Sequence, residues 1–497
     1  MVATVVSDIL KSLAELAGYL RGHFPKSLNC FPAVLYRAHV QYIAICYDIV
    51  NQRYYNPPPG MWSRETRYRD TVTDPRLTVT DQSYDANGFL DTVQTGTHPA
   101  IDWDFNARGQ PASLTDQEGA TTSFVYDDRG LVVERTDALG GKSLFEYTAI
   151  SQLEQVTDRN LDITTFTYTD SGKVDVIAYP GGTVDFAYDA RDKLTGMADP
   201  TGTTTNSYDP AGRLDGHTDS NGHSVGYNSY DEAGNVTTIT YPDGKTVTYT
   251  YDTLNRLETV SIDWLGRSMR YHYDDANRLD FIEHFNDMET DYHWDGADRL
   301  TGITHESAST VLADYAFVLD ANGNRVQETI SPEPIKPGGL INDSTSFTYN
   351  PQRNRLNATS DHTYTYDDEG QLTGKDAINY AFDPLHRLTQ RGSDTFVYDG
   401  VGNRLKAVRG GVETQYIYDA TGNLLAEADR MGQITRYYIH GAGLAALVTD
   451  SAETYVYHFD GTGHTVAMTD ATNGVVNRYA YSPYGEVLGE QEQIAQP

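Results

Sequence analysis

Two groups of histidines contain the residue types best suited to chemistry in this chain. One group is compact and the other is loose: His458, Asp460 and His464, and His272, His284 and His293. Imidazole and carboxylate groups bind zinc and act as general acids and bases. Neither group has the spacing of a zinc signature, and histidines at odd offsets along a strand point to both faces of a sheet. The spacing therefore favours structural or surface roles over a metal site or an acid-base pair.

Three acidic turns resemble calcium loops in composition. They run from Asp231 to Asn235, from Asp320 to Asn324 and from Asp419 to Asn423. A calcium loop of the EF-hand type also needs alternating Asp or Asn ligands and a terminal bidentate glutamate, which these turns lack. Aspartate, glycine and asparagine are common in tight turns because of backbone geometry alone. We therefore interpret these segments as turns, with weak calcium binding as the alternative.

The sequence carries no signature of an enzyme. GxSxG, HExxH, a Walker loop and a Rossmann glycine series are all absent from it. The chain has 70 acidic residues, so two carboxylates that are close in sequence do not indicate a catalytic pair. We predict a non-enzymatic protein without catalytic, cofactor-binding or metal-binding residues.

Charge and cysteine content exclude other classes. The formal net charge of −33 argues against sequence-independent nucleic-acid binding, because phosphate contacts need a positive surface. The two cysteines, Cys30 and Cys46, are too few for a disulfide framework. No apolar run is long enough for a membrane span, and Asp8, Lys11 and Glu15 interrupt the pattern of a secretory signal. We predict no nucleic-acid partner and no membrane span.

A repeated turn positions these side chains. Its clearest copy, Tyr208 to Leu214, reads Tyr-Asp-Pro-Ala-Gly-Arg-Leu. The aspartate can hydrogen-bond the backbone of its own turn, the glycine can adopt a positive φ, and the tyrosine and leucine belong to the flanking strands. Each copy therefore predicts a strand, a tight turn and a second strand.

The copies recur at a nearly constant interval. The first eleven begin 20 to 22 residues apart, at Tyr84, Phe105, Tyr126, Tyr147, Tyr168, Tyr188, Tyr208, Tyr230, Tyr251, Tyr273 and Trp294. The interval then lengthens before Leu319 and Tyr349, shortens to 16 residues between Tyr366, Phe382 and Tyr398, and returns to 20 at Tyr418. A period of this length indicates a repeat architecture.

The predicted structural motif consists of the aromatic residue, the aspartate after it and the glycine or arginine of the turn. Its residues are Tyr84, Asp85, Gly88, Tyr126, Asp127, Gly130, Tyr208, Asp209, Gly212, Arg213, Tyr230, Asp231, Gly234, Tyr251, Asp252, Arg256, Tyr273, Asp274, Arg278, Tyr366, Asp367, Gly370, Tyr398, Asp399, Gly402, Tyr418, Asp419 and Gly422.

A second turn separates successive copies, as in Tyr179 to Gly182 and Tyr241 to Gly244, and alternating runs such as Thr246 to Tyr251 follow it. Alternation is the pattern of a strand with one buried face. The sequence therefore predicts an all-β fold in which repetitive antiparallel hairpins add to one continuous sheet. We expect tyrosines to pair in rows across neighbouring strands. The 16-residue repeats should have shorter strands or lack the second turn.

Three regions are predicted. Residues 1–62 combine a short amphipathic helix with a Pro-rich boundary, and we expect a cap or plug there, with an anchor, a docking helix or an upstream extension as alternatives. Residues 63–440 hold the repeats, with an outer loop expected in the Pro- and Gly-rich segment 330–339. Residues 441–497 form a separate C-terminal region.

The repeat unit resembles that of the RHS, or YD-repeat, family, which is similar to G-x(3–9)-Y-x-YD-x-x-G-R-L. Gly244 through Leu257 carries this pattern, and it recurs in the copies at Tyr208, Tyr230, Tyr398 and Tyr418. The resemblance covers roughly Thr71 to Leu488. It implies a curved or spiralling sheet that forms a partial or complete hollow shell, as in polymorphic toxins, Tc toxin B and C components and teneurins.

The C-terminal region resembles the opening of the family's RHS-associated core. Tyr457 to Asp470 is similar to its first strand pair, and Arg478 to Glu486 to its YDPFGE segment, with Ser482 at the usual aspartate. The aspartates that cleave the family's toxins and the toxin domain itself have no counterpart in this sequence, so the core is expected to be truncated.

The resemblance implies a non-enzymatic scaffold that encapsulates or presents a toxin in a secreted polymorphic-toxin system. The expected partners are a toxin cargo or a second shell-forming chain, and the expected location is secreted or at the cell surface. The alternative is a carbohydrate-binding or adhesion module whose exposed tyrosines bind glycans. The same tyrosines are also expected as packing residues of the sheet, and we favour that interpretation.

Overall fold

The computed structural model describes residues 71–73, 79–321, 323–332, 346–350, 355–360, 362–481 and 487–496. The regular structure in these ranges is antiparallel β-hairpins, which confirms the predicted all-β class. No helix that could cross a membrane occurs in them. The predicted helix and cap in residues 1–62 lie outside the described residues.

The chain divides into two compact units. Among the described residues, unit 1 holds those up to Ala187 and those from Ser346 to Thr395. Unit 2 holds those from Tyr188 to Pro332 and those from Phe396 onward. The unit boundaries fall within the twelfth and thirty-second strands.

Unit 1 begins with twelve strands, each paired with the next in chain order. They are β1 (Thr71–Thr73), β2 (Val79–Tyr84), β3 (Leu90–Thr95), β4 (Ile101–Phe105), β5 (Pro111–Thr115), β6 (Thr121–Tyr126), β7 (Val132–Thr136), β8 (Lys142–Tyr147), β9 (Leu153–Thr157), β10 (Ile163–Tyr168), β11 (Val174–Tyr179) and β12 (Gly182–Tyr188).

Unit 2 continues with thirteen strands in the same order of pairing. They are β13 (Leu194–Asp199), β14 (Gly202–Tyr208), β15 (Leu214–Thr218), β16 (Ser224–Tyr230), β17 (Val236–Thr240), β18 (Thr246–Tyr251), β19 (Leu257–Ile262), β20 (Arg267–Tyr273), β21 (Leu279–Glu283), β22 (Glu289–Trp294), β23 (Leu300–Ser307), β24 (Thr310–Leu319) and β25 (Arg325–Ser331).

The remaining strands return to unit 1 and then to unit 2. Those of unit 1 are β26 (Phe347–Asn350), β27 (Arg355–Thr359), β28 (Tyr364–Tyr366), β29 (Leu372–Lys375), β30 (Ile378–Phe382), β31 (Leu388–Arg391) and β32 (Asp394–Tyr398). Those of unit 2 are β33 (Arg404–Arg409), β34 (Val412–Tyr418), β35 (Leu424–Asp429), β36 (Ile434–His440), β37 (Leu444–Thr449), β38 (Thr454–Phe459), β39 (Thr465–Thr469), β40 (Val475–Tyr481) and β41 (Val487–Glu492).

The prediction of one continuous sheet is wrong near residue 350. Among the described strands, β26 and β27 form a two-stranded sheet of their own. The interruption falls where the repeat interval lengthens. The predicted loop at 330–339 lies mostly outside the described residues, and β25 runs to Ser331.

The 16-residue repeats have the shorter strands that the spacing predicts. Strands β28 to β32 contain three to five residues. Their second turn is present and contains two residues, as between Lys375 and Ile378 and between Arg391 and Asp394. The second turns between β11 and β12 and between β13 and β14 are equally short, so relative to those repeats the missing residues are lost from the strands.

The core of unit 2 lies between two runs of strands. Val260 and Met269 from the first run pack in one cluster with Ile439 and Val456 from the second, and all four are buried. The hydroxyl of Tyr241 donates to the backbone carbonyl of Tyr438 (2.8 Å), so a buried polar group also joins the two runs. Fully burying an apolar side chain such as Val, Ile or Met contributes about 1.5–3 kcal/mol to the free energy of folding.

Candidate functional site

The aspartate of each repeat accepts hydrogen bonds from its own turn. One carboxylate oxygen of Asp274 accepts the backbone N–H groups of Ala276 (2.8 Å) and Arg278 (3.0 Å), and the other accepts Nε–H of Arg278 (2.7 Å). These bonds lower the pKa of Asp274, and the backbone N–H of Arg278 is the largest cause. The carboxylate is therefore ionised at neutral pH, and both of its oxygens are engaged.

The other predicted aspartates accept the backbone N–H four residues further on in the same way. The pairs are Asp85 with Phe89, Asp127 with Leu131, Asp209 with Arg213, Asp231 with Asn235, Asp252 with Arg256, Asp367 with Gln371, Asp399 with Asn403 and Asp419 with Asn423. Each predicted glycine has a positive φ, at Gly88, Gly130, Gly212, Gly234, Gly370, Gly402 and Gly422. Asn255 and Asn277 take that place in two copies, both with φ of 65°.

The tyrosine of each repeat fastens its turn to the repeat before it. Tyr208 ends β14, and its hydroxyl donates to the backbone carbonyl of Leu194 (2.8 Å) at the start of β13. The same bond joins Tyr126 to Pro111, Tyr230 to Leu214, Tyr251 to Val236, Tyr273 to Leu257, Tyr366 to Leu356 and Tyr418 to Arg404. In the first copy the hydroxyl of Tyr84 donates to Gln82, and Tyr398 is the last residue of β32.

The arginine of one repeat lies over the aromatic ring of the next. The guanidinium carbon of Arg213 is 4.5 Å from the ring centre of Tyr230, and that of Arg256 is 4.3 Å from the ring centre of Tyr273. A cation over an aromatic face contributes about 0.5–1 kcal/mol at an exposed site. The prediction of directly paired tyrosine rows is wrong in these repeats, because the arginine occupies the ring face.

The calcium-like turns use their carboxylates internally. In Asp231 and Asp419 the two oxygens accept the backbone N–H and the side-chain amide of the asparagine four residues on, all at 2.8 Å. Asp320 makes the same pair of bonds to Asn324 at 2.9 Å. A calcium ion would have to displace these donors, so the geometry favours the interpretation as turns.

The two histidine groups of the sequence do not assemble as groups. His272 stacks on Phe281 with ring centres 4.0 Å apart, and His293 contacts Thr304 through Nε2 (3.0 Å). His464 stays beside Asp460 (3.2 Å). His458 points instead into the interior of unit 2.

The structure brings together residues that the sequence analysis did not connect. His284 and His458 meet His305 in the interior of unit 2, with ring centres of His458 and His305 5.1 Å apart. His305 lies 153 positions before His458, and no spacing rule links strands of different runs. The only available signal was the inward phase of each residue on its own strand.

An acidic group on two neighbouring strands was also missed. Glu289, Asp291 and Glu306 place one carboxylate oxygen each within 4.8 Å of the others. Burial and the two neighbouring glutamates raise the pKa of Asp291. Glu289 faces Glu306 in the β22–β23 register, 17 positions apart in sequence, which hid the group. Exposed acidic groups are expected on a chain of net charge −33.

The two units differ in how far one face of the sheet is covered. In unit 1, cross-strand register and alternation place on one face the residues of what we call the unit 1 row: Trp103, Leu114, Phe124, Phe145, Val156, Phe166 and Ile177. All seven are only half buried. In unit 2 the same face carries what we call the unit 2 row, which is 0 to 7% exposed: Val260, Met269, Tyr271, Ile282, Ile303 and Tyr315. Tyr292, which faces Ile303, is half buried.

A shallow groove lies on β14 to β16 of unit 2. It encloses about 280 Å³, and Gly216 faces Gly226 in its floor, where the side chains of Ser207 and Asn228 lie against the two glycines. Asn206 and His217, which contact each other through Oδ1 and Nδ1 (2.8 Å), line it together with threonine and serine hydroxyls. Burial lowers the pKa of His217, which favours the neutral imidazole.

Fold and motif together define a scaffold of stacked Tyr-Asp hairpins, each fastened to its neighbour by a tyrosine hydroxyl. A family profile for the teneurin YD-shell matches residues 81–323 and 338–442. The chain therefore belongs to the teneurin YD-shell family, which confirms the resemblance to YD-repeat proteins.

Individual relatives match parts of the chain. The tRNA nuclease WapA of Bacillus subtilis (strain 168) is 29% identical over 191 residues, which cover 37% of this chain and 8% of that protein. Teneurin-1 of Homo sapiens is 26% identical over 212 residues, which cover 36% of this chain and 8% of that protein. The chain thus spans a small fraction of the length of the curated relatives that it matches.

The fold also matches a solved structure. The crystal structure of TcdB2-TccC3 aligns with a TM-score of 0.56 at 15% identity, covering 85% of this chain and 29% of that chain. At this identity the likeness concerns the fold, which is that of a shell scaffold.

Proposed function

We propose that this chain is a non-enzymatic shell scaffold that encloses or presents a toxin polypeptide in a secreted system. The observation that carries the proposal is the unit 1 row. Its seven apolar side chains line one face of paired strands and remain half buried. Arg135 of β7 lies on the same face between Phe124 and Phe145. An extended, mostly apolar face of this kind is typical of a surface that another polypeptide covers.

The chemistry of the repeats supports a structural role. The motif aspartates and tyrosines are engaged in their own turns and in the preceding repeat, so they are not available for a substrate. Burial raises the pKa of Tyr230 and of Tyr251 to about 12, and both hydroxyls therefore remain hydrogen-bond donors at physiological pH. The motif builds a wall, and the function follows from what the wall contacts.

The proposed occupant of the unit 1 row is a toxin cargo, and a second shell-forming chain is the other candidate. Family membership supports this assignment and a secreted or cell-surface location. A photo-crosslinking residue placed at Phe124 or Phe145 tests it in the full chain, co-expressed with the polypeptide encoded directly downstream. Val125 is the matched control, because it neighbours Phe124 on the opposite face and is 50% exposed.

We expect a crosslinked product with the downstream polypeptide from positions 124 and 145, and none from position 125. A product of twice the chain mass would instead identify a second copy as the occupant. Equal crosslinking from position 125, or no product from positions 124 and 145, would contradict the proposal.

We also propose that the chain has no nuclease activity of its own. The relatives named as tRNA nucleases align with this chain over 8% of their length. Incubation of the purified chain with total tRNA should leave the tRNA intact. Cleavage that persists through purification and is lost on heat denaturation of the chain would overturn the non-enzymatic assignment.

Glycan binding is the second candidate, and the groove on β14 to β16 favours it. Hydroxyl, amide and imidazole groups line this groove. A glycan array compares the wild type with Asn206→Leu, which removes an amide of the lining. Signal that disappears with Asn206→Leu supports the groove, and an array without signal for either protein rejects it.

A further inference from the structure

The strongest unexplained feature is the polar cluster formed by His284, His305 and His458. His284 follows β21, His305 lies in β23 and His458 in β38, so the cluster joins the two runs of unit 2. The three side chains are 6%, 1% and 1% exposed. The ring centre of His458 is 5.1 Å from that of His305 and 5.4 Å from that of His284.

Hydrogen bonds fix the protons of two of these rings. His305 Nε2 faces the backbone carbonyl of Phe459 (2.9 Å), so this nitrogen must carry a hydrogen. In the neutral ring Nδ1 of His305 is then an acceptor, and the hydroxyl of Thr290 donates to it (2.9 Å). The Thr290 oxygen accepts in turn from Nε2–H of His284 (2.7 Å), which leaves Nδ1 of His284 as a bare lone pair.

The cluster also fastens the two runs to each other. His305 reaches from β23 to Phe459 at the end of β38. The side-chain amide of Asn286 donates to Oγ1 of Thr469 and to the carbonyl of Asp470, both at 2.9 Å. The Thr469 oxygen also contacts Nε2 of His458 (2.9 Å). Neutral imidazoles are thus part of the junction between the runs.

Additional protons would have few acceptors. Nδ1 of His284 and Nδ1 of His458 are enclosed and have no hydrogen-bond partner in the part of the chain that the structure describes. Oδ1 of Asn286 also has no hydrogen-bond partner there, but this single acceptor cannot serve the N–H groups that protonation of all three rings would add. A proton on Nδ1 of His305 would face the proton that Thr290 donates. Each protonation therefore costs a hydrogen bond or buries an unpaired charge.

The surrounding groups do not supply a strong counter-charge. From β24 the neutral ring of Tyr315 lies 6.2 Å from that of His305. From the turn after β38, Asp460 raises the pKa of His305 against the larger effect of burial. The neighbouring imidazoles lower one another's pKa, and Asp470 contributes its backbone carbonyl.

We propose that this histidine cluster is an acid-sensitive junction, which holds the two runs of unit 2 together at neutral pH and releases them when the surroundings acidify. It concerns the stability of unit 2 alone and does not depend on the identity of a cargo. The trigger is the proton itself, supplied by any compartment or medium near pH 5.

The direction of the pH dependence follows from linkage. Burial lowers the pKa of His284 to about 3 and of His305 to about 4, and that of His458 falls well below its usual value. The unfolded chain therefore binds more protons than the folded one below about pH 6.5. The stabilisation is complete above that pH and is lost progressively towards pH 4. At pH 5 each histidine should reduce the folding equilibrium constant about thirtyfold.

Hydrogen exchange of the full chain at pH 7.5 and pH 5.0, corrected for intrinsic rates, tests the proposal on the wild type. Peptides from β21 to β23 and from β38 and β39 should lose protection at pH 5.0. Peptides from β6 to β10 of unit 1 are the internal reference, because residues 121–168 contain no histidine. Retained protection in β21 to β23, or an equal loss in β6 to β10, would overturn the proposal.

Two variants test the role of the histidines directly. His458→Gln keeps an amide near Thr469 and removes one titrating group, and His293→Gln is the matched control on β22 outside the cluster. From pH 7.5 to pH 5.0, His458→Gln should lose at least tenfold less of its folding equilibrium constant than the wild type, and His293→Gln the same as the wild type.

An equal loss in His458→Gln and the wild type would reject the junction. If His458→Gln does not fold, histidine proton resonances of the wild type decide. The resonances assigned to His284, His305 and His458 should then stay those of neutral imidazoles until unit 2 unfolds, whereas titration of these three rings in the folded protein near pH 6.5 would also reject it.

Discussion

Units 1 and 2 are built from the same repeat, yet the equivalent face of their strands is buried to a different extent. The seven positions of the unit 1 row are half buried, and the face becomes buried only at Val184, opposite Ile177 on β12, whereas the unit 2 row is 0 to 7% exposed. The turns do not explain this difference. Asp127 in unit 1 and Asp252 in unit 2 accept the same backbone N–H groups at 2.9 Å. The motif therefore determines the hairpin, and burial of its face requires a second layer.

The second layer of unit 2 comes from its later strands, β34 to β39, which are long enough to carry a full apolar face. The later strands of unit 1 belong to the 16-residue repeats and contain three to five residues. A prominent contact between the two segments of unit 1 is polar: Arg159 bonds Glu369 through Nε (2.8 Å) and Asp137 through Nη1 (2.9 Å). Repeat length thus separates a packed unit from one with an open apolar face.

The largest expected effect comes from removing one ring from each row. Tyr271→Ala in unit 2 should cost about 3–5 kcal/mol, because the ring is buried and the site cannot refill. Phe145→Ala in unit 1 should cost less, about 1–2 kcal/mol, since that ring is only partly buried. Denaturant unfolding monitored by hydrogen exchange in each unit measures both. Equal costs would show that the unit 1 row is covered in solution.

Replacing Arg159, which bonds Glu369 and Asp137, should have the next largest effect on stability. Arg159→Leu deletes hydrogen bonds to two carboxylates that are 12 and 19% exposed, and should destabilise unit 1 by about 2 kcal/mol. The loss should be confined to unit 1 in the same exchange experiment. Arg129→Leu is the control and should cost less than half as much, because it removes a more exposed ion pair with Asp127 and one hydrogen bond to the carbonyl of Thr148.

Replacing a turn glycine by alanine should reduce stability equally in the two units. Gly140 in unit 1 and Gly244 in unit 2 have φ of 82° and 87°, and an added Cβ would meet no described heavy atom within 4 Å. Gly140→Ala and Gly244→Ala should each cost about 1 kcal/mol from backbone strain alone. Gly296→Ala, where no positive φ is required, should be neutral. A twofold difference between the first two would mean that tertiary packing also acts on the turns.

Replacing an arginine that lies over the tyrosine of the next repeat should have the smallest effect on stability. Arg256→Lys keeps the charge beside Asp252 but loses the flat group over Tyr273, and should cost about 0.5 kcal/mol. Thermal unfolding of the variant and the wild type at low and high salt measures it. A cost above about 2 kcal/mol would show that the contact between arginine and tyrosine, rather than the backbone hydrogen bonds of the turn, holds successive repeats together.

The sequence by itself determined the local structure. Tyr208, Asp209 and Gly212 predict a strand, an acceptor and a positive φ because these properties depend on a few neighbouring atoms. The interval between copies likewise predicts where strands shorten, as in β28 to β32, but it did not predict the interruption of pairing near Tyr349. The family followed from the same repetition, since many copies at one interval carry more information than any single motif.

Only the tertiary structure determined which distant side chains come together. His284, His305 and His458 lie on different runs of strands, so their meeting depends on how the runs pack and not on any sequence interval. Packing within unit 2 buries Tyr271, whereas Phe145 of unit 1 is only partly buried, although both occupy equivalent positions on their strands. Hydrogen bonds within a turn are local, whereas burial and the titration of buried groups depend on every atom around them. For that physical reason the repeat was readable from the sequence and the histidine junction was not.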